Sequence, residues 1–208
     1  MWNCKNRRIL NCGKFHFRTQ GEPSIDAMRA VEGTLRKALT IQAFEDSERR
    51  RRNFLDAAAD LKFVNVDSLT PEEKVTFFLN LYHTMIAHAY LVLGPPDSSL
   101  KWFGYFNTIA YQVSDDIFSL TELEHCVIRA NMSYPTQFFS KFVIPKSHYR
   151  FAVEKGDLRI NFALNCGSLS NPSRIFVFEV ETLDEQLDAA SRLFFEDVET
   201  RRQNGQTV

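Results

Sequence analysis

The segment "SLTPEEKVTFFLNLYHTMIAHAYLVLG", residues 68–94, constrains the fold of this chain more than any other. Thr70 can cap a helix, Pro71 suits its first position, and Glu73 at the third completes a capping box. Gly94 and the prolines after it stop the helix. Between these signals the residues are apolar almost all round, which is the pattern of a buried helix. The spacing therefore predicts a central helix from about Thr70 to Leu93. Its polar residues are then informative. Asn80, Thr84 and His88 recur every four residues and form one stripe, with His83 three residues from Asn80. Buried polar groups need partners, so this stripe must face other polar groups, either structural ones or a site.

The elements around that helix read as an α+β fold. Ile25, Met28, Val31, Leu35 and Leu39 mark one face of a helix, and "SERRRRNFLDAAADL" (47–61) reads as another. Residues 109–118 pattern as a hairpin turning at Ser114-Asp115-Asp116. Ser119 and Glu122 form a second capping box, opening an amphipathic helix with Leu120, Leu123 and Val127 on its apolar face. Glu124 falls on the edge of that face, with His125 beside it. Residues 134–157 read as a loop-rich connection. Leu158, Ile160, Phe162 and Leu164 alternate with Arg159, Asn161, Ala163 and Asn165, which predicts a half-buried strand ending at Asn165-Cys166-Gly167. A further strand is expected over 175–181. A closing helix follows, with Thr182 and Glu185 as capping box and Leu187, Ala190 and Phe194 inward.

The expected architecture is one α+β domain: a central buried helix, a small, mostly antiparallel sheet and surrounding helices. Residues 1–53 form an N-terminal extension with helical segments, 54–197 the domain, and 198–208 a polar tail. Helix and strand alternate irregularly, so a doubly wound parallel sheet is not expected.

Composition excludes several functions. The 208 residues carry a net charge of about −1, which argues against a nucleic-acid surface. The run Arg49–Arg52 reads as a solvated helix face. Nineteen phenylalanines imply an aromatic-rich core. The four cysteines form no CxxC pair and are too few for a disulfide framework. Neither a signal peptide nor a membrane span is seen, since the longest apolar stretch carries Asn80, His83 and His88. A soluble, cytoplasmic protein is expected, or a piece of a longer one. His83 and His88 splay around their helix, no HExxH occurs, and no glycine-rich phosphate loop is present, so no metal or other cofactor is expected.

The segments "FFLNLYHTMIAHAYL", "FSLTELEHCVIR", "LRINFALNCGSLSNPSR" and "TLDEQLDAASRLFF", in this order, resemble the DUF547 family. The likeness runs from about Phe54 to Phe195, and the Glu-His and Ala-Leu-Asn-Cys-Gly motifs carry it. It implies that Asn80, Glu124, His125, Asn165 and Cys166 are the characteristic polar positions. The chain departs from the pattern at His83, where Asn is usual, and at Asn161, where many members have His. Asn171 stands where bacterial members have a second Cys, so the local disulfide open to them is closed here. Family members occur alone and beside glutaredoxin, DEP or leucine-zipper-like segments, which implies signalling or scaffolding and partners that are proteins or peptides.

Two chemistries fit these residues. A cysteine aimed by a strand into a turn, with Gly167 allowing close approach, suits a thiol nucleophile. His125 would then be the base, and Glu124 or Asn80 would orient it, as in cysteine-dependent amide or thioester hydrolases and acyl transferases. Asn165, Gly167, His88 and His83 would line the binding site. Alternatively, the same residues form the polar core of a non-catalytic interaction module, with Asn-Cys-Gly a tight turn and Glu124-His125 a structural pair. The two readings divide on whether His125 and Cys166 touch.

Overall fold

The capped apolar segment forms a helix, α3 (Pro71–Leu93), in a computed structural model that describes residues 6–12, 25–41, 47–132, 147–168, 171 and 174–203. Glu73 N–H donates to the Thr70 hydroxyl at 3.3 Å and Thr70 N–H to the Glu73 carboxylate at 2.8 Å, which closes the expected capping box. Thr76 through Ile86 is buried without a break, followed by His88 and Ala89. The helix is thus covered on all sides, as its pattern requires.

Two helices pack over one flank. They are α1 (Ala27–Thr40) and α2 (Ser47–Asp60); α1 lies on both α2 and α3. Asp26 caps α1 by accepting from Arg29 N–H at 2.9 Å. Val31, Leu35 and Ala38 face inward; Leu39, expected on that face, is 41% exposed and lines an open pocket with Ala38, Phe54 and Ile86.

The sheet is small and mixed. A helix, α4 (Ser99–Thr108), leads into the expected hairpin of β2 (Ile109–Val113) and β3 (Asp116–Ser119). Ala110 lies opposite Ser119 and Val113 opposite Asp116. The third strand, β1 (Arg8–Ile9), comes from the N-terminal extension and pairs parallel to β2, giving the order β1-β2-β3. Asn11 prolongs this pairing with its side chain. Its amide donates to Gln112 O at 2.8 Å, and Gln112 N–H donates to its oxygen at 2.9 Å. Arg7 of the same segment donates to the buried Glu122 carboxylate, which also accepts from Ser147 Oγ at 2.8 Å.

After β3, Ser119 caps α5 (Leu120–Glu122), which widens directly into a π-helical turn, Leu123–Ile128. The short helix α6 (Ile160–Ala163) and the long α7 (Leu183–Gln203) complete the domain and pack on each other. α7 continues to Gln203, inside the segment expected as a polar tail; 204–208 lie outside the described residues, as does most of the expected 134–157 connection. Phe54, Phe77, Phe78, Phe118, Phe151 and Phe178 are fully buried, each stabilising the fold by roughly 1.5–3 kcal/mol. No described helix is long and apolar enough to cross a membrane.

Two expected strands are absent. Residues 158–165 contain α6 instead, with Ile160, Ala163 and Leu164 buried and Leu158 73% exposed. Those three lie at i, i+3 and i+4, so the segment also satisfied a helical period, and that period prevails. Residues 175–181 run extended into a short 3-10 turn (Val180–Thr182) but belong to no sheet. Their backbone groups are paired by side chains. The Asn80 amide donates to Phe178 O at 2.8 Å and accepts from Phe178 N–H at 2.9 Å. On α7, the Gln186 amide donates to Val177 O at 3.0 Å and accepts from Glu179 N–H at 2.9 Å. Two primary amides take the place of two neighbouring strands.

Candidate functional site

The Asn165-Cys166-Gly167 turn is built from both ends. Asn165 N–H, just past α6, donates to His83 Nε2 at 3.1 Å. Gly167 N–H donates to Asn165 Oδ1 at 2.8 Å, an Asx turn. Gly167 has φ +81°, and a Cβ there would stand 3.0 Å from the Tyr90 ring. Both facts call for glycine. Tyr90 Oη donates to Cys166 O and clamps the turn to α3. Asn171 closes the loop: its Oδ1 accepts from Cys166 N–H at 3.0 Å, Ser168 N–H at 3.2 Å and Cys166 Sγ at 3.0 Å. Asn171 thus places a hydrogen-bond acceptor against the thiol.

Glu124, His125 and Arg129 sit on the π-helical turn. Arg129 N–H donates to Glu124 O at 3.0 Å, five residues back. An α-helix would separate residues five apart by roughly 140°; the wider turn brings Arg129 over Glu124, with Nη2 3.2 Å from Oε1. Tyr82 Oη, from α3, donates to the other carboxylate oxygen at 3.1 Å. His125 Nε2 is 4.0 Å from Glu124.

The electrostatics connect these groups and also limit them. Burial pushes the Tyr82 phenol well up, with Glu124 and then Cys166 adding to it. Burial likewise pushes the Cys166 thiol up; Ser168 opposes this and Glu124 reinforces it. Burial pushes His125 down, against the pull of Glu124. A thiolate–imidazolium pair needs the opposite shift at both residues. No hydrogen bond joins Cys166 to His125 among the described residues.

The family described as protein of unknown function, DUF547, matches residues 66–195, more than half of the chain. The chain belongs to the DUF547 family. No curated relative and no solved structure matches it. The DUF547 match includes Tyr82, Glu124, His125, Asn165, Cys166 and Asn171, whereas Arg7 and Asn11, which tie the sheet together, precede it.

Of the other residues expected at the site, Asn80 is fully buried and spends its amide on Phe178. His83 stacks on Phe178 at 6.2 Å between ring centroids. Because Nε2 accepts from Asn165, the proton of the neutral ring sits on Nδ1, which is buried without a hydrogen-bond partner among the described residues. Burial lowers this histidine to about 4, with the Ala163 carbonyl opposing. His88 stands in a different neighbourhood: its Nδ1 is 2.6 Å from Tyr111 Oη, and Phe54 meets its ring edge-on. No described group of three or more His, Cys, Asp or Glu side chains is placed to hold a metal ion.

Tyr82, Tyr90, Arg129 and Asn171 join the site beyond the residues that the sequence singles out. A phenol inside an apolar helix needs a partner for its hydroxyl, and an Asn in a Ser/Pro loop tends to cap a turn; either signal points to these positions. Arg129 offers no such signal, because its approach depends on the π turn.

Proposed function

We propose that this DUF547 chain is a non-catalytic protein-interaction domain in which the Asn165-Cys166-Gly167 turn is a structural joint. The observation that carries the reading is the hydrogen bonding of that turn. Cys166 gives its backbone N–H and its thiol to Asn171, its carbonyl takes the Tyr90 hydroxyl, and burial holds the sulfur protonated. A nucleophile needs the reverse, a thiolate with a base beside it.

The surface next to the joint suits a partner. Leu158, before α6, is 73% exposed and Phe195, on α7, is 55% exposed, with Phe162 packed 5.2 Å from the latter ring. Arg159 nearby is bound by Asp157, Asp184 and Asp188, so three carboxylates face one guanidinium. An apolar strip with an acidic border favours a peptide or protein segment with apolar anchors and basic flanks.

Iodoacetamide labelling of the folded protein at neutral pH, resolved by mass spectrometry, tests the assignment. Cys166 is expected to label more slowly than the exposed Cys12, with His125→Ala leaving its rate unchanged. Rapid labelling of Cys166 that slows in His125→Ala would overturn the reading in favour of a Cys-His hydrolase or acyl transferase.

A further inference from the structure

His88 is 2% exposed, yet it lines a cavity of about 380 Å³ between β1, α2 and the end of α3. Its Nδ1 faces Tyr111 Oη at 2.6 Å. The tyrosine is fully buried, and among the described residues that nitrogen is its hydroxyl's hydrogen-bond partner. A buried hydroxyl must place its hydrogen somewhere, so Tyr111 donates and Nδ1 accepts. The neutral ring then carries its proton on Nε2. That nitrogen has no hydrogen-bond partner among the described residues and is not sealed from solvent, and the ring lines the cavity. Burial, with Arg51 adding to it, lowers His88 to about 4 and keeps the ring neutral at pH 7.

Arg8, Arg52 and Asp56 supply the charge of the lining. Neither arginine has an ion pair or hydrogen bond among the described residues. Both line the cavity beside His88, on which the Arg51 guanidinium also acts. The rest of the wall is aliphatic: Ile9, Leu10, Leu55 and Val92.

We propose that this cavity binds a small aliphatic monocarboxylate, its head on Arg8, Arg52 and the Nε2–H of His88 and its chain against the aliphatic wall. Guanidinium forks match carboxylate geometry. The aliphatic wall shelters a short hydrocarbon body, and the volume falls in the range of small-molecule pockets. The site shares no residue with the Asn-Cys-Gly joint and stands independently of the interaction reading.

Hexanoate titrated into the full chain, followed by amide and imidazole NMR signals, tests the proposal. Saturable shifts are expected at Arg8–Leu10, Arg52–Asp56 and the His88 Nε2–H. Arg8→Gln and Arg52→Gln change exposed side chains and so keep the fold; each should weaken binding by about tenfold or more. Hexanol, with the chain but no charge, and inorganic phosphate, with charge but no chain, should each bind more weakly. The proposal is overturned by an absence of saturable shifts, by unchanged affinity in both variants, or by hexanol or phosphate binding as tightly as hexanoate.

Discussion

Replacing Asn80 by alanine removes one side chain and strands two backbone groups. Asn80 is fully buried, and Phe178, whose N–H and C=O it pairs at 2.9 and 2.8 Å, is 1% exposed. Each unsatisfied buried group costs about 1–3 kcal/mol. Local relaxation toward solvent recovers part of that, so about 3 kcal/mol is expected. For a chain of this length such a loss lowers Tm by about 6–12 °C. Asn80→Asp is the informative companion, because it keeps the volume and the acceptor but loses the donor to Phe178 O; at neutral pH it also buries a charge, and it should be at least as damaging. Urea unfolding followed by circular dichroism gives the free energies, and native-state hydrogen exchange reads the Phe178 amide directly. In Asn80→Ala that amide should exchange far faster, while the Glu179 amide, held by Gln186, loses less protection. A loss below about 1 kcal/mol, or an unchanged Phe178 exchange rate, would refute the idea that amide side chains stand in for strand partners here.

Three other outcomes follow from the geometry. Gly167→Ala should destabilise the fold by about 1–2 kcal/mol in thermal denaturation, since φ is +81° and the new Cβ meets the Tyr90 ring at 3.0 Å. His83 and His88 are each lowered to about 4 from an ordinary 6.5, so between those values the unfolded chain binds protons that the fold does not. Stability should therefore be complete above about pH 6.5 and fall as the pH drops toward 4, by up to about 3 kcal/mol per histidine; urea midpoints at pH 7 and 5, with ring titrations by NMR, check this. Arg7→Gln should cost about 3–5 kcal/mol in urea unfolding, because the Glu122 carboxylate stays buried without its cation.

Local signals with a single meaning were legible in the sequence. The Thr70–Glu73 and Ser119–Glu122 boxes placed the starts of α3 and α5, and the burial of Asn80, His83 and His88 followed from the apolar run around them. Signals with two meanings misled. The residues of 158–165 fit a period of two and a period of 3.6 equally, and contacts distant in sequence decide between them: Arg159 with Asp184 and Asp188, and Phe162 with Phe194. The 175–181 segment is extended, as its composition suggests, but a sequence does not reveal that Asn80 and Gln186 hold its two edges. Nor can a two-residue strand such as β1 display a period. At the site, Glu124-His125 and Asn165-Cys166 could be singled out as polar residues at the margin of the core. What could not be read was the π turn, which brings Arg129 to Glu124 beside Tyr82.

The short N-terminal strand also covers an edge of the sheet. With β3 on one side, the other edge of β2 would present free backbone groups, a ready template for any extended chain. β1 occupies that edge at Ile109 and Ala110, and the Asn11 amide continues the cover at Gln112. Residues 8–11 thus act as a guard against strand addition between molecules. Loosening them by Asn11→Asp, which leaves Arg7 on Glu122, would bare that edge of β2, so self-association is expected to rise with protein concentration.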